Sequence, residues 1–161
     1  MKTNLLLISF LFTVTFTFSQ SSIESVLRKY KNDENVVSLN FKGDLSKFLN
    51  GNEGTKLKSK INGCDVLIFN NKEEVSVNDK AKIKAALSKD NYEMLVNVKD
   101  KQGKMELHAI SKGDILSKVY ANVNFDNKNI IVIFTGSLIF EELSKMNFDF
   151  EGGEAFKSFL D

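Results

Sequence analysis

The sequence predicts an α+β fold: an antiparallel β-sheet, with a meander of about four strands plus one or two N-terminal strands, packed against α-helices. Two observations predict this class. Four segments rich in β-branched and aromatic residues follow one another between Tyr92 and Thr135, separated by short polar turns. Segments with the apolar spacing of helices come before, between and after strands. Helices that stand apart from neighbouring antiparallel strands are typical of α+β domains.

The first helix is expected to start at Ser21. Ser21 and Glu24 have the spacing of a capping box, in which the two residues satisfy each other's backbone N–H groups. The apolar residues that follow have the i, i+3, i+4, i+7 spacing of one helical face: Ile23, Val26, Leu27 and Tyr30. This spacing predicts an amphipathic helix.

Two N-terminal strands and a second helix are expected next. Val36–Phe41 alternates and is rich in β-formers, and residues 64–69 form a mainly apolar run. Between these strands, Asp44 can cap a short helical turn, and the polar residues 51–60 are expected to form a loop. A helix from about Val77 to Lys89 follows, capped by Ser76.

Two β-hairpins account for most of the sheet. Tyr92–Lys99 and Lys104–Ile110 flank a glycine-containing turn, and Ile115–Asn124 and Asn129–Thr135 flank a second polar turn. The segment 115–120 suits a helix equally well, because its apolar spacing fits both periods. Gly136 and Ser137 are expected to end the last strand, and residues 138–146 are expected to form a helix.

The register of the second hairpin predicts what each sheet face carries. If Asn124 pairs with Asn129, one face is uniformly apolar and belongs to the core. The opposite face also carries apolar residues, although a solvated face should alternate to polar. This second face carries Leu95, Ile110, Tyr120, Ile131 and Ile133. Either a helix covers it, or it is an exposed patch that binds a partner with Tyr120 as anchor, and the second is our hypothesis.

The N-terminus has the pattern of a cleaved signal peptide. Lys2 provides a positive charge, an apolar stretch runs from Leu5 to Phe18, and Thr17 and Ser19 place small side chains before a cut at Gln20. The stretch would rise about 21 Å as a helix, short of the roughly 30 Å hydrocarbon core of a bilayer. We therefore expect residues 1–19 to be removed and the product to be exported, periplasmic or extracellular, without stable membrane insertion.

The remaining residues, 20–161, are expected to form a single α+β domain, with 147–161 as a loose C-terminal tail. Lys2 is the only charge lost with the leader, so this part carries 21 basic and 21 acidic side chains. Nucleic-acid binding usually needs a basic excess, and Arg28 is the only arginine available for bidentate contacts. The sequence therefore argues against a nucleic-acid partner.

Catalytic, metal and cofactor motifs are weak throughout. His108 is the only histidine and is interpreted as a strand residue that pairs with Leu95; Cys64 is the only cysteine and is expected to be a buried, inert thiol. The carboxylates at 73–74 and at 141–142 are adjacent in sequence, and neighbouring side chains on a helix would not converge on one reacting atom. Residues 147–152 resemble a calcium loop, but Ser158 stands where a closing glutamate should be. No catalytic residue, metal or cofactor is predicted.

Several of these features together resemble a known family. They are the exported start, the amphipathic helix, the Tyr92–Leu95 segment, the 100–103 turn, and an apolar strand closing on Gly136 before a helix that ends at 143–146. This pattern, from Ile23 to Met146, resembles the small exported Bacteroidota proteins catalogued as domain of unknown function 4252. The resemblance implies an envelope or secreted protein, and it assigns no activity and no functional residue.

The sequence thus leads to two functional expectations. The first is a non-catalytic binding or interaction module of the bacterial cell envelope, whose partner is an unidentified protein or envelope component. The alternative is an enzyme with a cryptic carboxylate-based hydrolytic site. A deep pocket lined by two inward carboxylates would favour the enzyme.

Overall fold

The computed structural model describes residues 22–45, 57–70, 74–99, 101, 103–146 and 152–160. The signal peptide, the predicted cap at Ser21, the helical turn after Leu45, Glu73 and most of the calcium-like segment lie outside the described residues.

Six β-strands and four short α-helices make up the described fold. The strands are β1 (Val36–Lys42), β2 (Lys60–Phe69), β3 (Glu93–Lys99), β4 (Gly103–Lys112), β5 (Ile115–Phe125) and β6 (Lys128–Ile139). The helices are α1 (Ile23–Leu27), α2 (Val77–Lys89), α3 (Phe140–Leu143) and α4 (Gly153–Ser158). A 3-10 turn, Arg28–Asn32, continues α1.

All six strands belong to one antiparallel sheet, in the order β1-β2-β6-β5-β4-β3. The α+β class and the antiparallel sheet are therefore confirmed. The strands β3 to β6 form the predicted meander. The sheet has more strands than this meander, because β2 pairs with β6 and β1 adds an outer strand to β2.

The second hairpin has the predicted register. Asn124 pairs with Asn129, and Val119 lies opposite Phe134. The turn residues Asp126 and Asn127 have φ angles of 46° and 60°. Positive φ at both central positions defines the tight turn whose twist matches the flanking strands. The ambiguous segment 115–120 is thus a strand.

The last strand runs further than expected. Gly136 does not end β6: it pairs with Ile61, and Leu138 pairs with Leu116 on the other side. A Cβ at Gly136 would overlap the carbonyl oxygen of Lys60, so glycine permits this close approach. The predicted helix over 138–146 is wrong at its start, because pairing to two neighbouring strands holds residues 136–139 extended; α3 is confined to Phe140–Leu143.

The first hairpin contains an irregularity that the sequence did not predict. Its register is regular from Lys99 to Val96 and then shifts, so that His108 pairs with Met94 instead of Leu95. Leu95 is the extra residue of a β-bulge. The bulge moves Met94 onto the same face as His108, which matters for the site described below.

One face of the sheet packs against the C-terminal elements. The central strands contribute residues such as Leu107, Ala121 and Val132, all fully buried, and helix α4 covers them with Phe156. The Phe156 ring lies 6.0 Å from that of Phe134. The interpretation of the tail as loose is wrong for the described residues 152–160, because this aromatic contact holds them on the core.

The second face is covered by helices α1 and α2. The core on this side joins helix residues to strand residues: Ile23, Val26, Leu27, Ile83, Ala86 and Leu87 on the helices, and Leu67, Phe69, Tyr120, Ile131 and Ile133 on the strands. The hypothesis of an exposed patch is therefore wrong for Tyr120, Ile131 and Ile133, which are 4%, 1% and 6% exposed. The alternative expectation, a helical cover, describes this part of the sheet.

Helix α1 begins at a different cap from the one expected. Ser22 Oγ accepts a hydrogen bond from the Ser25 N–H at 3.2 Å. Helix α2 has the predicted bounds and the predicted cap, since Ser76 Oγ accepts from the Asp79 N–H at 3.3 Å. Among the described helices, none combines the length and the apolar character that crossing a membrane requires.

Candidate functional site

A cleft of about 370 Å³ opens between helix α2 and the strands β3 to β6. It lies where α2 stops covering the second sheet face. Its walls combine apolar residues with residues that carry hydrogen-bonding groups. The apolar residues are Val75, Ile83, Leu87, Met94 and Ile131, and the polar ones are Lys80, Lys84, Lys104, Glu106, His108, Tyr120, Asn122, Asn124 and Asn129. Its volume falls at the lower end of the roughly 300–1,000 Å³ typical of ligand pockets.

Strand alternation places the polar side chains of the cleft. Tyr120, Asn122 and Asn124 are at alternate positions of β5, and Glu106 and His108 are at alternate positions of β4. Alternate residues of a strand point to the same face. The cross-strand pairs Glu106–Asn122 and His108–Tyr120 bring the two rows side by side.

Three asparagines form a fixed network at one end of the cleft. The buried Asn129 donates from Nδ2 to Asn122 Oδ1 at 2.6 Å and to Asn124 Oδ1 at 3.0 Å. Both carbonyl oxygens are thereby directed at Asn129, which sets the orientation of the two amides. The Nδ2 groups of Asn122 and Asn124 have no hydrogen-bond acceptor within the described residues. The cleft therefore presents amide donors.

Tyr120 is buried but its hydroxyl has no hydrogen-bond partner among the described residues. The side chain lies against the His108 ring, with 6.2 Å between ring centroids. Burial, assisted by the negative charge of Glu106, raises the pKa of Tyr120 above its usual value. The hydroxyl is thus a neutral donor. Buried polar groups normally have partners, so this unpaired group calls for one.

The charges of the cleft are largely compensated within the protein. Lys104 Nζ lies 2.5 Å from Glu106 Oε1, and Lys80 Nζ lies 2.5 Å from Glu74 Oε2. Lys84, on α2, makes no ion pair with any described residue. Partial burial, only in part opposed by Glu106, lowers the pKa of His108. Among the described residues, the cleft at neutral pH therefore has one uncompensated positive charge, that of Lys84.

Helix α2, which forms one wall, is anchored through Asp79. The Asp79 side chain is 5% exposed and accepts from Tyr30 Oη and Ser76 Oγ, both at 2.8 Å. Lys29 Nζ lies 2.5 Å from the same carboxylate. The hydrogen bond from Lys29, followed by those from Tyr30 and Ser76, holds the pKa of Asp79 well below its usual range. The start of α2 is thereby tied to the 3-10 turn.

The five residues of the predicted partner-binding face are separated by the fold. Tyr120 and Ile131 line the cleft, whereas Ile133 lies under the helices. Leu95 is 38% exposed at the bulge of the edge strand, and Ile110 is half-buried. Tyr120, Ile131 and Ile133 nevertheless stay together in one buried cluster, in which Tyr120 pairs with Ile133 across β5 and β6, whereas Leu95 and Ile110 lie outside it.

The other candidate reactive side chains, those of Cys64 and Glu142, lie apart from the cleft. Cys64 is buried, and burial, with a contribution from Asp65, raises the pKa of its thiol to about 12. Glu142 accepts from the N–H groups of Lys58 and Ser59; burial disfavours its charge, but these hydrogen bonds outweigh burial and lower its pKa. Glu142 is a structural anchor for α3. Within the described residues, no group of three potential metal ligands comes together.

Sequence reasoning missed Asn122, Asn124 and Asn129 as functional candidates. A signal was present, because Tyr120, Asn122 and Asn124 place hydrogen-bonding groups at alternate positions of β5, between the apolar residues Val119, Ala121 and Val123. The helix that forms the facing wall could not be assigned to this strand from sequence spacing.

Comparison with known proteins identifies the family. No curated protein and no solved structure gives a significant match to this chain. The profile of one family, described as domain of unknown function DUF4252, matches residues 30–146. The match takes in all six strands and the whole cleft, and it ends before helix α4. Since it spans well over half of the sequence, the chain belongs to the DUF4252 family.

Proposed function

We propose that this protein is an exported, non-catalytic binding module of the bacterial cell envelope, and that it holds its ligand in the α2 cleft. The observation that carries the proposal is the hydroxyl of the buried Tyr120, which has no hydrogen-bond partner among the described residues and lies in a cleft with other donors. A buried hydroxyl loses its hydrogen bonds to water on folding, and leaving it unpaired costs about 1–3 kcal/mol. A ligand acceptor would recover this energy.

The export part of the proposal is supported by the leader pattern in residues 1–19. We take residues 20–161 as one domain, whose cleft faces the envelope or the medium. Its partner is an envelope component or a protein that offers a complementary group.

Binding without catalysis is the better proposal because of the charges around the cleft. A carboxylate-based hydrolase needs two carboxyl groups that flank the scissile bond. In the described part of the cleft the lining has one carboxylate, Glu106, which is engaged by Lys104. His108 has no carboxylate or thiol within hydrogen-bond distance among the described residues, so an activated nucleophile is not supported either.

A fragment screen with a blocked variant tests the binding site. Ligand-observed NMR would be run on residues 20–161 against a library of soluble carboxylates, sugars and amides. Met94 lies on the cleft wall and is 53% exposed, so Met94→Trp should fill the cleft without disturbing the core. We expect fragments that bind the wild type to lose binding to this variant.

Val37→Trp provides the matched control. Val37 is 41% exposed on β1, at the opposite edge of the sheet, and does not line the cleft. This variant should bind the same fragments as the wild type. A library without hits, or hits that bind equally well to Met94→Trp, would contradict the proposed site.

A further inference from the structure

We propose that the α2 cleft recognises a monoanionic, amphipathic ligand, in which one carboxylate is attached to a compact apolar group. This inference rests on the proposed function and specifies the ligand class for the same site. Three features of the cleft lead to it: its free hydrogen-bonding groups, its charge and its apolar surface.

The free hydrogen-bonding groups of the cleft are mostly donors. Asn122 and Asn124 have committed their oxygens to Asn129 and retain their N–H groups. The buried Tyr120 hydroxyl and the Lys84 ammonium have no partner among the described residues. The one carboxylate among the described lining residues, that of Glu106, is already paired with Lys104. A ligand that satisfies these groups must therefore supply acceptors, as a carboxylate does with two oxygens.

The charge of the cleft selects a monoanion. Lys84 is the one lysine of the lining without an ion pair in the described structure, since Lys80 and Lys104 are both paired. A dianionic phosphate group would carry one charge more than Lys84 compensates, and it is usually bound by arginine forks. Arg28, the only arginine of the chain, does not line the cleft.

The cleft also has an apolar surface beside its donors. Ile83, Leu87 and Ile131 line the cleft but are nearly fully buried, so its free apolar surface is mainly that of Met94 on β3, which is 53% exposed. The bulge at Leu95 brings Met94 to this face. A fully hydrated anion would leave this surface without a partner, whereas a small branched alkyl group next to the carboxylate would cover it.

The test compares two probes that differ in one group, a carboxylate in N-acetyl-leucine and a neutral carboxamide in N-acetyl-leucinamide. Each is titrated into ¹⁵N-labelled protein, residues 20–161, and the dissociation constant is taken from amide shifts of cleft residues. We expect the acid to bind about two- to fivefold more tightly than the amide, the effect of one exposed ion pair. N-acetyl-leucine should also bind more tightly than phenyl phosphate.

Two variants assign the recognition to particular groups. Lys84→Met should abolish the preference for the acid, while Lys89→Met, an exposed lysine of the same helix outside the cleft, should leave it unchanged. Tyr120→Phe should weaken binding of the acid about tenfold, the loss of a hydrogen bond to a charged group. The same substitution should leave the melting temperature of the free protein equal or raised, since it removes an unpaired buried hydroxyl.

The outcomes distinguish a wrong ligand class from a wrong binding site. If acid and amide bind equally well, and both lose binding to Met94→Trp, the cleft remains a binding site and the inference about the carboxylate is wrong. Tighter binding of phenyl phosphate would also overturn it. If neither probe shifts a cleft residue, both this inference and the proposed function fail. A clear drop in melting temperature for Tyr120→Phe would give its hydroxyl a structural role and remove the main support for a ligand.

Discussion

Replacing Asp79 by asparagine removes the charge that anchors helix α2 while keeping the size of the side chain. The carboxylate receives hydrogen bonds from Tyr30 and Ser76 and is paired with Lys29 and Lys82. The two lysines are 60% and 50% exposed, so they return to water when the charge is removed. The loss is therefore set by the hydrogen bonds to the buried carboxylate, about 1.5–3 kcal/mol for bonds to a charged group.

The expected cost depends on pH, because the pKa of Asp79 is lowered in the folded protein. A carboxyl with a lowered folded pKa adds stability above its unfolded pKa, about 3.9 for aspartate. That stability is lost as the pH falls from there through the folded pKa. Asp79→Asn should therefore be less stable than the wild type at pH 7, and this difference should shrink below about pH 4.

Thermal unfolding followed by circular dichroism at pH 7 and pH 3 measures both effects. For a domain of this size, 2 kcal/mol corresponds to a melting temperature lower by roughly 4–8 °C. Asp114→Asn, in the exposed turn between β4 and β5, is the control and should change stability by less than about 0.5 kcal/mol. An Asp79→Asn variant as stable as this control at pH 7, or a difference that does not vary with pH, would refute the proposed anchor.

Three further predictions concern the core, the tail and the leader. Cys64 should not react with a thiol reagent in the native protein at pH 8 and should react fully in denaturant, because burial raises its pKa to about 12; rapid native labelling would contradict its place in the core. Phe156→Ala should lower the free energy of unfolding by about 3–5 kcal/mol, as truncation of a buried aromatic does, whereas a change below about 1 kcal/mol in denaturant titration would show that the tail is not docked. The secreted protein should begin at Gln20 by intact-mass measurement, and a soluble product that retains residues 1–19 would contradict export.

The parts of the fold set by local pattern could be predicted from the sequence. The register of Asn124 with Asn129 followed from the short polar turn between the two strands, which fixes the pairing of the residues that flank it. The start of helix α2 at Ser76 followed from capping chemistry, which is equally local.

The parts set by contacts between distant elements could not be predicted. The bulge at Leu95 and the extension of β6 through Gly136 depend on neighbouring strands that pair across the sheet. The tail is a mixed case: Phe156, Phe159 and Leu160 have the i, i+3, i+4 spacing of an apolar helical face, but the surface on which they pack is formed by distant strands.

The candidate site could likewise be predicted only where it depends on local pattern. Sequence alternation placed Tyr120 on the second sheet face, and the apolar character of that face indicated a cover or a partner. Which half of the face is covered depends on where α2 packs, and no local spacing reports that. The cleft exists because the two helices bury Ile131 and Ile133 but leave Asn122 and Asn124 half-buried beside them.

Mapping the residues that a bound ligand perturbs is the most direct test of the proposal that the α2 cleft is the binding site of this protein. Backbone amide shifts of the labelled protein would be recorded during titration with N-acetyl-leucine. We expect the largest amide shifts at Tyr120, Asn122 and Asn124 on β5 and at Lys84 on α2. Shifts that are absent from these residues, or that concentrate on the distant strand β1, would contradict it.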